Sequence, residues 1–189
     1  QAEDGIRDLV RSRGLGDVYK RQVKGETMAK KEKGAARTMP MRVLDEKGIV
    51  YTPRQQARKQ FTAQGVADDL GVPVAWVVKA MIVQRSNGAF ALFVIPGDAH
   101  LSLKKVAAVL GDKGAALAQQ RDVERVTGFQ VGAVSVLGFR RSDIPAYLDD
   151  GVLALERAVI SSGRPDLGLE LDPQDLLRAL GGQAGDFTS

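Results

Sequence analysis

Residues 79–97 read KAMIVQRSNGAFALFVIPG. Lys79–Gln84 and Ala89–Ile95 are rich in Val, Ile and Phe, and Ser86-Asn87-Gly88 between them is strong hairpin chemistry. Ala89–Ile95 is apolar without alternation, which predicts a central strand covered on both faces. Pro96-Gly97-Asp98 then breaks the chain. Lys79 stands between Val77-Val78 and Ala80-Met81, where a charge needs a partner or a cleft. Its ammonium could hold a phosphate or a carbonyl oxygen. It could equally be a lysine snorkelling from a strand end.

Outward from the hairpin, helices and strands alternate irregularly. On the N-terminal side, Pro40–Lys47 predicts a short helix stopped by Gly48, and Ile49–Tyr51 a short strand. Thr62 caps a helix to Leu70 with Gly71 beyond it, and Val72-Pro73 opens a helical turn. On the C-terminal side, Ser102 caps a helix to Leu110, and Asp122 caps another that Gly128 ends. Residues 146–148, 152–155, 158–161 and 168–171 read as strands. Asp172-Pro173 opens a last helix to Leu180. This is an α+β pattern, not a regular βαβ series.

Composition removes several chemistries. The chain has no cysteine, so disulfides, a cysteine nucleophile and thiolate metal sites are excluded. Its single histidine, His100, rules out a multi-histidine metal site. No metal or cofactor is therefore expected. The net charge of +4 is misleading as a nucleic-acid signal. Residues 1–40 hold ten Lys/Arg and six Asp/Glu, while residues 41–189 hold seventeen of each. Only local basic clusters could grip phosphates: Arg54, Arg58 and Lys59; Lys104 and Lys105; Arg140 and Arg141. At least two are expected to flank one cleft mouth. No apolar run approaches the ~18–20 residues of a spanning helix, and a cytoplasmic setting is expected. Residues 1–27 are read as an extraneous or disordered segment, 28–38 as a basic flexible tail, and 39–188 as the domain.

Beyond Lys79, the loop Gly132-Ala133-Val134-Ser135-Val136-Leu137-Gly138 could bring backbone amides to a ligand, with Ser135 adding a hydroxyl. A plain structural turn is the alternative. Ser161-Ser162-Gly163 closes a predicted strand, as a site or as ordinary turn chemistry. Asp98 and His100 suggest an acid–base pair, but no nucleophile is tied to them.

The blocks MRVLDEKGI, DDLGVPVAWVVKAMIV, VIPGDAHLSLKKVAAVLG, RDVERVTGFQVGAVSVLGF, AVISSG and LELDPQDLLRAL occur in an order that resembles the YbaK/EbsC-like family. That domain is also the editing domain of bacterial prolyl-tRNA synthetases. The resemblance covers about Met39 to Phe187. It implies a mixed, partly barrel-like sheet with surrounding helices, and a cleft for the 3′ end of aminoacyl-tRNA. It implies a trans-acting deacylase that hydrolyses the ester of mischarged tRNA, Cys-tRNA(Pro)-like or carrying a related small amino acid. Lys79 and Ser135 would be catalytic. Gly97, Gly132, Ala133, Val134, Gly138, Ser161, Ser162 and Gly163 would line the substrate cleft, and Lys104, Lys105, Arg140 and Arg141 would contact tRNA. A synthetase or elongation factor would be a further partner. The family loop usually reads Gly-Gly-Val-Ser-Pro, where this chain has Ala133 and Val136. Pro53-Arg54-Gln55-Gln56 likewise replaces a His-x-Tyr stretch of the cysteine-specific branch. These departures leave a second reading, a catalytically inactive binding or regulatory module of the same fold.

Overall fold

The computed structural model describes residues 36–189. The segment 1–27 and most of the basic tail lie outside these residues. The expected hairpin is present: β2 (Lys79–Gln84) and β3 (Phe90–Ile95) pair antiparallel from Lys79↔Ile95 to Gln84↔Phe90. Arg85 N–H donates to Ala89 O at 2.8 Å, and Gly88 takes φ 81° in the turn.

β3 sits third in a five-stranded sheet, ordered β4-β2-β3-β5-β8. The other members are β4 (Ala116–Leu117), β5 (Ala146–Asp149) and β8 (Gln183–Gly185). β3–β5 and β5–β8 are parallel, and the remaining pairs antiparallel. The period of two explains the unbroken apolar run. Phe90, Leu92 and Val94 enter the main core, while Ala91 and Phe93 enter a second cluster with Val106, Leu110 and Phe187. Phe93 stacks on Tyr147 at 4.8 Å between centroids and meets the edge of Phe187 at 5.2 Å. Burying such a ring contributes about 2–3 kcal/mol.

A separate three-stranded antiparallel sheet runs β1 (Tyr51–Gln55), β7 (Leu167–Leu171), β6 (Ala158–Arg164). Pro53 is tolerated because β1 is an edge strand. The expected partly barrel-like closure is absent among the described residues: the strands form two sheets that share the main core, and neither closes. They touch at the parallel bridge Val77↔Val159, where Val78 N–H donates to Val159 O at 3.1 Å.

Among the described residues six helices surround the sheets: α1 (Met39–Glu46), α2 (Ala63–Leu70), α3 (Leu103–Leu110), α4 (Gln120–Thr127), α5 (Asp150–Leu153) and α6 (Pro173–Leu180). The caps at Thr62 and Asp172 are as expected: Thr62 accepts from Gly65 N at 3.1 Å and Asp172 from Gln174 N at 2.8 Å. Two expectations are corrected. Residues 152–155 do not form a strand, because Asp149 caps α5 by accepting from Gly151 N at 2.8 Å. Asp122 is not the cap of α4 but lies in its first turn, where its carboxylate still suits the helix dipole.

Among the described residues no helix is long and apolar enough to cross a membrane.

Candidate functional site

Where the two sheets meet, an open cleft of about 630 Å³ forms. β2 and β6 supply its floor, the start of α2 one lip, and the loop after α4 the other. Lys79 opens β2 and lines the cleft half-buried. The Pro96-Gly97-Asp98 break turns the chain back, so that Ala99 O accepts from Lys79 Nζ. Burial pushes the Lys79 ammonium below the ordinary lysine range, and the nearby Asp98 carboxylate opposes this in part. Gly97 lines the same wall, and a Cβ there would collide with Val74 O and Val77 O. Only glycine allows this approach of the two backbones.

Gly132 and Val134 reach the cleft from the loop. Gly132 has φ 90°, and a Cβ on it would stand 2.9 Å from Phe61 Cδ1. Phe61 is 56% exposed, and Val131 and Leu117 are also exposed at the rim. Exposed apolar side chains therefore frame the mouth of the cleft. Ser161 lines the cleft and ties it together: its hydroxyl donates to Ala133 O at 3.0 Å and accepts from Gly163 N at 3.0 Å. Contrary to expectation, Ser161-Ser162-Gly163 does not close its strand but forms a bulge within it. Gly163 makes the bulge possible at φ 87°, where a Cβ would press 2.5 Å from Phe129 Cε1.

Other expected site residues lie elsewhere. Ser135 is fully buried, and its Oγ accepts from Leu137 N at 3.3 Å. Ala133 and Ser162 are buried outside the cleft lining, and Gly138 packs on Met39 and Pro40. Lys104 borders a separate shallow hollow on α3, and Lys105 Nζ pairs with Asp186 at 2.6 Å. Arg140 lies against Gly128, and Arg141 pairs with Asp143 and sits 6.0 Å from the Phe90 ring centroid. None of these four cations lines the cleft. Of the three basic clusters, only Arg58 and Lys59 fall between cleft-lining positions, Gln56 and Gln60. Arg54 of the same cluster is taken up by Glu170 and by Leu70 O at 3.2 Å. His100 is exposed, and among the described residues no partner links it to Asp98.

Several lining residues carry no sequence signal of their own. Gln56, Gln60, Phe61 and Arg164 are the main ones. Phe61 could have been noticed as an apolar residue just ahead of a helix cap. Arg164 forms a two-point pair with Asp166, at 3.0 and 2.7 Å, which holds the Asp166 carboxyl below the usual carboxylate range. Among the described residues no three His, Asp or Glu side chains gather as metal ligands.

Fold and cleft together define a small α+β domain with an open cleft between two sheets. Residues 58–179 match the aminoacyl-tRNA editing domain, and the chain belongs to that family. A relative from Enterococcus faecalis, EbsC, is named provisionally as a Cys-tRNA(Pro)/Cys-tRNA(Cys) deacylase. It is 28% identical over 164 residues, covering 86% of this chain and 99% of the relative. A proline–tRNA ligase from Fervidobacterium nodosum is 37% identical over 117 residues, covering 62% of this chain but 19% of the ligase. A crystal structure named provisionally as a trans-editing enzyme for prolyl tRNA synthetase superposes with a TM-score of 0.71. Its sequence is 25% identical, and the match covers 80% of this chain and 95% of that one.

Proposed function

We propose that the protein is a trans-acting aminoacyl-tRNA deacylase, working in the cytoplasm on the 3′ end of tRNA carrying a wrong, small amino acid. The observation that carries this reading is the Lys79 ammonium in a cleft flanked by backbone-rich turns, in a chain of the editing-domain family. The rim favours a terminal nucleoside. Phe61 offers an exposed ring on which a base can stack, and Gly132 beside it leaves room for close approach.

The reaction needs little from side-chain bases. Water adds its oxygen to the ester carbonyl carbon, the carbon–oxygen bond to the ribose breaks, and the ribose oxygen takes up a proton. Free amino acid and tRNA with a 3′-hydroxyl leave. Negative charge builds on the carbonyl oxygen as water attacks. Lys79, and amides at the start of α2 or in the loop at Gly132, are the groups able to stabilise it. Ser161 holds the loop to β6, and Ser135 orders it from below through Leu137 N. Both serines act on this view by positioning. With residues 41–189 electrically balanced, Arg58 and Lys59 are the exposed cations best placed for the acceptor stem. Delivery by a synthetase or elongation factor would offset a weak intrinsic grip.

Deacylation of Cys-, Ala- and Ser-tRNA bearing the proline acceptor tests the reading. The wild type is expected to release at least one amino acid. Lys79→Ala should slow that release by about 10²–10³-fold. A folded wild-type protein that releases none of them would make the chain a binding module instead.

A further inference from the structure

Gln56 is 6% exposed and lines the cleft, yet its Oε1 is buried with no hydrogen-bond partner among the described residues. Its backbone, by contrast, is fixed on every side. Gln56 N–H donates to Asp166 O at 2.9 Å, and Gln55 Nε2 donates to Gln56 O at 3.2 Å. The next residue is held too, as Ala57 N–H donates to Asp69 Oδ2 at 2.7 Å. A rigid main chain thus presents an amide oxygen that the described residues leave unsatisfied. Burying such a group is unfavourable, and a methionine or leucine would fill the same space without that cost. Elsewhere in the cleft lining, Val66, Val159 and Leu167 are apolar and have no side-chain group to offer it.

We propose that Gln56 is a specificity residue whose amide hydrogen-bonds a hydroxyl on the side chain of the bound amino acid. This rests on the deacylase reading and names its substrate class: small amino acids tipped with a hydroxyl, in preference to apolar ones of the same shape. The geometry favours the acyl group as the partner. Phe61 at the mouth suits the terminal base, and the acyl end is the part of the substrate small enough to reach the buried Gln56 side chain. A hydroxyl satisfies the amide as donor or acceptor, whichever way the amide is turned. The apolar residues of the cleft lining can accommodate the methylene or methyl that carries it. A site built to hydrogen-bond a hydroxyl discriminates strongly against the analogue lacking it, because the buried amide is then left unpaired.

The test compares two isosteric pairs, Ser- against Ala-tRNA and Thr- against Val-tRNA, with wild type and Gln56→Met. Single-turnover deacylation is measured alongside binding of the corresponding amide-linked, non-hydrolysable 3′-aminoacyl-adenosines. Wild type should favour the hydroxyl member by roughly tenfold or more in each assay, and Gln56→Met should bring the ratio to about unity. The thermal midpoint of the variant should be equal or higher, since an unpaired polar group has been removed. Binding that discriminates without any hydrolysis would keep the Gln56 assignment and overturn the deacylase reading. Hydrolysis with the same ratio in wild type and Gln56→Met would overturn the Gln56 assignment alone, as it would if the amide served the α-ammonium common to all substrates. Binding of neither analogue would overturn both.

Discussion

Asp149 and Gln56 are both polar and both buried, at 2% and 6% exposure, and they are treated in opposite ways. Asp149 ends β5 and accepts two backbone donors, Gly151 N at 2.8 Å and Phe187 N at 2.7 Å. It caps α5 and pins the last residues to the sheet, beside the Phe93–Tyr147–Phe187 aromatic cluster. Gln56, on the cleft side, finds no partner for its Oε1 among the described residues. The far side of the five-stranded sheet is a finished piece of structure. Among the described residues, the cleft keeps an unpaired amide oxygen, a half-buried lysine, an exposed phenylalanine and a glycine at positive φ. Stability and ligand chemistry are thus divided between two regions of one small domain.

That division can be broken by experiment. The largest effect is expected at Asp149→Ala, which strips the partner from two buried N–H groups. Unfolding free energy should fall by about 3 kcal/mol in urea titrations, with kcat/KM per folded molecule unchanged in the cold. Lost activity in protein that is still folded would show that the two regions are coupled. Gly132→Ala should behave in the reverse way. A side chain at φ 90° is strained by about 1–2 kcal/mol. Its Cβ also pushes on Phe61, which is exposed enough to yield. Activity should drop about tenfold from the misplaced rim, against a thermal midpoint lowered by only a few degrees. The smallest effect concerns pH. Lys79 is cationic below its pKa, and burial lowers that pKa. Affinity for an amide-linked analogue should therefore be full at neutral pH and weaken on the alkaline side, earlier than an ordinary lysine would allow. Lys79→Met should bind weakly with no such slope. A wild-type profile identical to that of Lys79→Met would remove the ammonium from the binding site.

Much of this architecture is legible in the amino-acid sequence. The hairpin at 79–95 is readable because a central strand needs apolar residues on both faces, and α6 because Asp172-Pro173 combines a cap with a preset first turn. Lys79 and Gly132 stand out for a related reason, a charge and a glycine where the local pattern wants neither. Short apolar runs carry less information. Residues 152–155 suit a strand or a helix, and a side-chain bond from Asp149 decides it. β8 has the sequence Gln-Ala-Gly and lies at a sheet edge, so its pairing comes from β5 and not from its own residues. Gln56 is invisible for a deeper reason. Its significance is the absence of a partner, and absence is a property of the packed surroundings.

The long span between β1 and β7 bears on how this domain comes into being. Tyr51 pairs with Leu171, and Gln55 with Leu167. The segment that carries Gln56 and Phe61 hangs from the end of β1 and has no sheet to join until β7 exists. Contacts so distant along the chain form late and slowly. During synthesis the N-terminal lip of the cleft has to wait for more than a hundred further residues to leave the ribosome. A half-made chain therefore carries the hairpin and its lysine but not yet the completed cleft.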